Sequence, residues 1–408
     1  MSKLTELLDE LCPDGVDYRP LGEVGSFTRG GGPQKKDFLS EGFPCIHYGQ
    51  IYTHYGLFTA TTISSVSQDV FDKSRKAQPG NVIIAVTSEN DEDLGDAVAW
   101  LGSQPAAVSN HTLIYDTEMD PQYVSYFLRS AHFQRQKRRV TTGAKVRSIS
   151  EKGFSSIEIP VPPLEVQQEI VRVLDAFTDL EQSLVSELEL RKKQLDYYRS
   201  QVLFDDSSAG DLVELSELGR IITGRTPKGD DPNAWGSEVN FVTPSDIGNG
   251  VKMITSTSRQ LSAAGAQGLV KSFIPAGSVL VTCIGADMGK TVINAHDCVT
   301  NQQINSIILN PSVNADYVFH VLTALRPQLL ALGSQSSGTM PILNKTNFSR
   351  IKISLPSIDR QNEIAEVLNK FDALISSSES GIQAEIDLRR KQYEFYRDEL
   401  LSFAPKKD

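Results

Sequence analysis

"LRKKQLDYYR" runs from Leu190 to Arg199, and "LRRKQYEFYR" runs from Leu388 to Arg397. A catalytic loop needs no second copy; a pair of matched struts does. Outward from these stretches the whole chain is a repeat. "PLGEVGSFTRGGGP" from Pro20 lies over "ELSELGRIITGRTP" from Glu214, so Leu21, Gly25, Gly30 and Pro33 match Leu215, Gly219, Gly224 and Pro227, each 194 residues on. "FSSIEIPVPPLEVQQEI" from Phe154 and "FSRIKISLPSIDRQNEI" from Phe348 keep the same spacing. Between these anchors the match is loose: "PGNVIIAVT" at Pro79 faces "PAGSVLVTC" at Pro275, and "AVSNHTL" from Ala107 faces "CVTNQQI" from Cys298. Two halves share one fold, with fixed ends and variable middles.

The chain therefore parses as a variable module (1–156), a helical segment (157–207), a second module (208–350) and a second helical segment (351–408). Short β-rich runs such as "NVIIAVT" and "SVLVTCI", punctuated by Gly, Pro and Asn, predict compact α+β modules. Each module carries a helical pattern near its end, "PQYVSYFLRSAHFQRQKRR" and "ADYVFHVLTALRPQLLAL". After "IPVPP", which suits a helix entry, apolar residues recur in steps of three and four: Ile170, Leu174, Phe177, Leu180, Leu184, Leu188, Leu195, Tyr198 and Val202. The second copy gives Ile364, Leu368, Phe371, Ile375, Ile382, Ile386, Tyr393, Tyr396 and Leu400.

A helix from Glu165 to Leu203 is about 58 Å long, and its apolar stripe must be buried against a partner. The other copy is the obvious partner, in an antiparallel coiled coil with a module at each end and a pseudo-twofold relation; separate hairpins or a homodimer coil are the alternatives. Phe177 to Leu190 covers 13 steps and Phe371 to Leu388 covers 17. The extra four are close to one turn, so the stripe survives them, as in a spacer that tolerates change by whole turns.

With 39% apolar and 22% charged residues, the composition is that of a soluble globular protein, and no apolar run predicts a membrane span. The start, "MSKLTELLDELCPDG", does not read as a signal peptide. Cys12, Cys45, Cys283 and Cys298 are widely spaced, which predicts reduced thiols in a cytoplasmic protein and no metal site.

The net charge of −11 argues against a nucleic-acid partner until its distribution is read. The segment 157–207 alone holds five basic and eleven acidic residues. Pro121 to Ser150 has no acidic residue but contains Arg129, Arg135, Lys137, Arg138, Arg139, Lys145 and Arg147. A basic helix end complementing its dipole explains two or three of these, and phosphate contact explains the rest. "TRGGGPQKK" adds Arg29, Lys35 and Lys36, and the matching "TGRTPKG" adds Arg225 and Lys228, unless both are simply mobile surface loops. The second module, with ten basic and ten acidic residues, offers Lys290 and Lys345 and the base-reading types Asn301, Gln302 and Gln303.

Enzyme motifs are absent. "GADMGKT" (Gly285 to Thr291) has three residues before its Gly-Lys pair where a phosphate loop needs four, so a strand-turn-strand is the better reading. No Gly-rich methyl-donor turn, Asn/Asp-Pro-Pro-aromatic tetrapeptide, HExxH or GxSxG occurs.

The duplicated order of module and helix, "IPVPPLEVQQEIVRVLDAF" with "ISLPSIDRQNEIAEVLNKF", the two ten-residue stretches, and "SSGTMPILNKTNF" (Ser336 to Phe348) together resemble the DNA specificity subunits of Type I restriction-modification systems. The resemblance implies a non-catalytic subunit with two target recognition domains, each reading half of a bipartite double-stranded DNA site. It implies that the helices set the gap and dock two modification subunits, here through Leu174, Phe177, Tyr198, Leu368, Phe371 and Tyr396. S-adenosylmethionine and ATP would then belong to the modification and restriction partners, with no cofactor on this chain. A stand-alone DNA-binding regulator and a nucleotide-binding enzyme using Lys290 and Thr291 are the competing readings.

Overall fold

Strand Val82–Ala85 is fully buried because it is covered on both faces. Val82 and Ile84 point into one apolar cluster with Tyr115, Tyr126 and Phe127, while Ile83 and Ala85 point into another with Trp100 and Ile114. Strand Val279–Thr282 repeats this, with Val279 and Val281 on one side and Leu280 on the other. That alternation of side chains across a strand is the local reason both modules are layered. The computed structural model describes residues 3–204, 210–227, 231–248, 250–285, 287–335 and 340–407.

The chain divides into two compact units, Met1–Val185 with Gln383–Asp408, and Ser186–Ile382. In the first unit a five-stranded sheet runs in the order Gly25–Arg29, Thr112–Thr117, Val82–Ala85, Ala97–Trp100, Phe58–Thr59. A second sheet has the order Ser64–Val66, Phe43–Ile46, Ala106–Val108, Lys76–Ala77, with Phe43–Ile46 and Ala106–Val108 parallel. The second unit has the same plan: Gly219–Thr223, Ile304–Leu309, Val279–Thr282, Thr291–Asn294, Met253–Ile254 in one sheet, and Val239–Val242 parallel to Cys298–Thr300 in the other. Both units are α+β. Of "GADMGKT", residues 287–290 form, as expected, a turn between the antiparallel strands Val279–Thr282 and Thr291–Asn294, and Ala286 lies outside the described residues.

Module and helix are not separable at the boundaries read from sequence. Tyr18–Pro20 pairs with Glu158–Pro160, and Asp211–Glu214 pairs with Lys352–Leu355, so each module closes with a strand just beyond the ends placed at 156 and 350. The Pro-rich run completes a strand before it starts a helix. The long helices, Leu164–Phe204 and Ile358–Leu400, are each divided between the units. Val166, Ile170 and Leu174 enter the first unit's core with Tyr123 and Phe154; Ile364, Ala365 and Leu368 enter the second's with Tyr317 and Phe348.

Inside the first unit Phe177 stacks on Tyr396 at 5.4 Å and Glu181 meets Arg390 at 2.6 Å, so residue numbers run in opposite senses and the pairing is antiparallel. In the second, Tyr198 stacks on Phe371 at 5.8 Å and Arg199 meets Asp372 at 2.8 Å. The stripe thus finds its partner within the chain, which removes the need for a homodimer coil.

The first unit also gathers both chain ends. Helix Lys3–Leu11 sends Leu4 into the core, Val16 pairs with Pro405, and Tyr18 Oη donates to the Phe403 carbonyl at 3.0 Å. No helix among the described residues is long and apolar enough to cross a membrane. Burial pushes the thiols of Cys45, Cys283 and Cys298 up to about 12, so they are unreactive packing groups.

Candidate nucleic-acid interface

Three loops converge at one end of the first unit. The Gly-rich loop after strand Gly25–Arg29 is held by Gly30 N–H to the Thr112 carbonyl and Gly31 N–H to that of Val108, each at 3.0 Å. Only glycine fits at 30, because a Cβ would collide with Thr112 Oγ1 and the Ser109 carbonyl. The second loop enters helix Tyr48–Thr53, whose N-cap His47 accepts from Gly49 N–H at 3.1 Å. The third, Ser109 to His111, joins Ala106–Val108 to Thr112–Thr117; Ser109 Oγ accepts from Tyr48 N–H at 2.9 Å. Burial lowers the pKa of His47, and the nearby Lys35 and His111 act in the same direction, so all three loops meet around this buried imidazole. Arg29, at the end of the strand, and Lys35 and Lys36, on the first loop, are exposed.

The second unit builds the same corner. Gly224 N–H bonds the Ile304 carbonyl as Gly30 does that of Thr112, and Asn301 N–H bonds Val242 as Ser109 does Ile46. This register sets Gln302 opposite Asn110 and Gln303 opposite His111, one residue away from the match suggested by the two "N" letters in the sequence. Thr226 Oγ1 donates to Gln302 Oε1 at 2.7 Å, and Asn301 Nδ2 donates to Gln303 Oε1 at 3.0 Å. Arg225 is exposed beside them, and Lys345 is exposed at the start of the short helix Lys345–Ser349. Lys228 lies outside the described residues. Lys290 does not fit the interface expected for it. Its side chain is only 11% exposed and is held by Asp287 at 3.0 Å. Nor does it cradle a phosphate, since Gly289 N–H is used by the Thr282 carbonyl inside the turn.

The basic tract sorts into two kinds of residue. Lys137 is buried, donating to the carbonyls of Asp91 and Leu94 at 2.6 and 2.8 Å. Arg129 pairs with Asp96 at 3.2 Å and Arg147 with Asp91 at 2.6 Å, so Arg147 is engaged by an acidic loop (Glu89 to Asp93) that sequence reading passed over. Arg135, Arg138, Arg139 and Lys145 are exposed and make no ion pair among the described residues. The tract reaches the loop corner through the backbone: Ile149 N–H bonds Val86, and Val86 N–H bonds the carbonyl of His111.

The docking residues need a larger correction. Leu174 and Leu368 are 0% exposed, inside the two cores, and cannot meet a partner. Phe177 stacks with Tyr396 and Tyr198 with Phe371, yet Tyr198 and Tyr396 stay exposed, so these two still offer an open face. The helices leave several apolar residues open, Leu374 (66%) and Phe204 among them, and four of these stand in matching places of the two copies: Leu190 (63%), Tyr197 (60%), Leu388 (60%) and Phe395 (60%). These are two copies of one pattern, since Leu190 and Tyr197 recur 198 residues on as Leu388 and Phe395.

A doubled unit with matching loop corners and shared helices has known counterparts. The family described as "Type I restriction modification DNA specificity domain" matches residues 13–190 and again 211–388, and the chain belongs to it. The EcoR124I/EcoR124II specificity subunit of a type I restriction enzyme from Escherichia coli is 30% identical over 417 residues, covering 99% of this chain and 97% of that one. The EcoprrI specificity subunit from Escherichia coli is 26% identical, covering 92% of each chain. A chain from a solved type I restriction-modification system superposes with a TM-score of 0.70 at 18% identity, over 95% of this chain and 98% of that one, and so shares the fold.

Proposed function

We propose that this chain is the non-catalytic, sequence-reading subunit of a type I restriction-modification assembly in the cytoplasm. Each unit reads one half of a bipartite duplex site, and the paired helices set the gap between the halves. The observation that carries this reading is the repeated loop corner. One backbone plan presents Asn110 and His111 in the first unit and Gln302 and Gln303 in the second, which is how two readers of one fold acquire different targets. Arg135, Arg138, Arg139 and Lys145, with Arg29, Lys35 and Lys36, supply phosphate contacts for the first unit, and Arg225 and Lys345 supply them for the second.

Leu190 with Tyr197, and Leu388 with Phe395, give two equivalent apolar patches, one for each of two modification subunits. Restriction subunits join that assembly, and the partners bring S-adenosylmethionine and ATP. The test is long-read sequencing of host DNA with and without the gene, scoring methylated adenines. The reading requires a gene-dependent bipartite motif with a fixed gap. Inserting four residues after Ser183 lengthens a helix by about 6 Å and should widen that gap by about two base pairs. No gene-dependent methylation, with the modification subunit present, overturns the assignment.

A further inference from the structure

We propose that His111 is the specificity-determining residue of the first unit and reads a purine through its N7 in the major groove, a step that rests on the sequence-reading function above. His111 has φ = 66°, and among the described residues it is the sole non-glycine with positive φ. A left-handed backbone is costly for a side chain of this size and persists only where the surroundings enforce it.

The surroundings here do enforce it. The His111 carbonyl accepts from Val86 N–H at 3.0 Å, Thr112 Oγ1 donates to the Ser109 carbonyl at 2.7 Å, and Ser109 Oγ donates to the Asn110 carbonyl at 3.1 Å. The ring rests edge-on against Tyr48 at 5.3 Å, and Tyr48 packs on the buried His47 at 4.5 Å. His111 is exposed, and neither ring nitrogen has a hydrogen-bond partner among the described residues. The corresponding Gln303 is half-buried, with normal backbone and its carbonyl oxygen occupied by Asn301.

An imidazole aimed outward on a fixed stem, with an open N–H and an open acceptor, is preorganised for a base edge. A purine presents the N7 acceptor in the major groove that such an N–H matches. The basic tract and the Lys35 loop flank it, so phosphate contacts on either side would fix the register while His111 discriminates.

The test uses the full chain assembled with its modification subunits, comparing wild type, His111→Gly and Gln303→Ala by adenine-methylation sequencing. His111→Gly removes the side chain while relieving the left-handed strain, so its thermal midpoint should equal or exceed wild type. The expected result is a half-site in which one purine position loses its preference on the order of ten-fold. The other half-site and the gap stay unchanged, and Gln303→Ala affects only that other half. An unchanged motif for a folded His111→Gly assembly overturns the proposal, as does loss of preference in both halves. If wild type yields no gene-dependent bipartite motif, the sequence-reading function fails first and this inference falls with it.

Discussion

Four of the seven basic residues between Arg129 and Arg147 are free to meet phosphate, and that number sets a salt dependence. Arg135, Arg138, Arg139 and Lys145 are exposed and unpaired among the described residues, whereas Arg129, Lys137 and Arg147 already have partners. Each phosphate neutralised contributes about 0.9 to the slope of log affinity against log salt, so replacing all four by Ala should flatten the slope by about 3.6. Over a four-fold rise in salt, from 50 to 200 mM, those contacts account for about a 150-fold loss of affinity that the variant would not show. Lys137→Ala should behave in the opposite way. It deletes two hydrogen bonds from a buried ammonium, costing about 3 kcal/mol of stability, and leaves the slope of the surviving folded fraction unchanged. Fluorescence anisotropy of the assembled methyltransferase on target duplex, titrated at several salt concentrations, measures both. A quadruple variant whose slope stays within about one unit of wild type would refute the phosphate assignment.

Asp372→Ala should destabilise the second unit by about 3 kcal/mol, because it strands the buried Arg199 with only Asp196, while Arg199→Met with Asp372→Leu should recover most of the loss. Calorimetry decides this, and a single variant as stable as wild type sinks the idea. His320 is buried, and burial lowers its pKa from the ordinary 6.5 despite Asn369 and Asp372, with Arg199 and Lys252 acting in the same direction as burial. The unfolded chain therefore binds the extra proton first, and stability falls as pH drops below about 6.5. His320→Tyr, which copies the corresponding Tyr126 of the first unit, should flatten the thermal midpoint between pH 7.5 and 5.5, and an equally steep profile counts against the buried imidazole as its source. Leu190→Asp with Leu388→Asp should change stability by less than about 0.5 kcal/mol, since both side chains face water, yet prevent modification subunits from binding. Normal complex stoichiometry by analytical ultracentrifugation would reject these patches as docking sites.

The doubled α+β plan was legible because its determinants are local and repeated: the buried β run, the glycine at 30 and 224, and the three-four stripe. What the letters could not show was how each charge is used. Lys137 and Arg138 are neighbours in one basic string, but on a helix they face about 100° apart, so one is buried and the other open. Lys290 and Asp287 are three apart across a tight turn, and only that turn turns a candidate contact into an internal ion pair. Leu174 and Phe177 share a stripe, yet the module covers one and the facing helix the other. His111 was missed for a further reason. Its signal is a backbone angle, and the matching "N" letters drew the alignment one residue out of step.

The shared helices also set an order of birth. The second unit, Ser186–Ile382, is one unbroken stretch and has all its parts as soon as it leaves the ribosome. The first unit is built from two stretches with the second unit between them: its β domain emerges early, but Tyr393, Leu400 and Leu401, which close over its core, emerge only after the second unit. At 5–20 residues per second, roughly 10 to 40 s separate the two. During that interval Phe177 is without Tyr396, the ring that stacks on it, so the half begun first is closed only after the other is complete, and a chaperone would act there first.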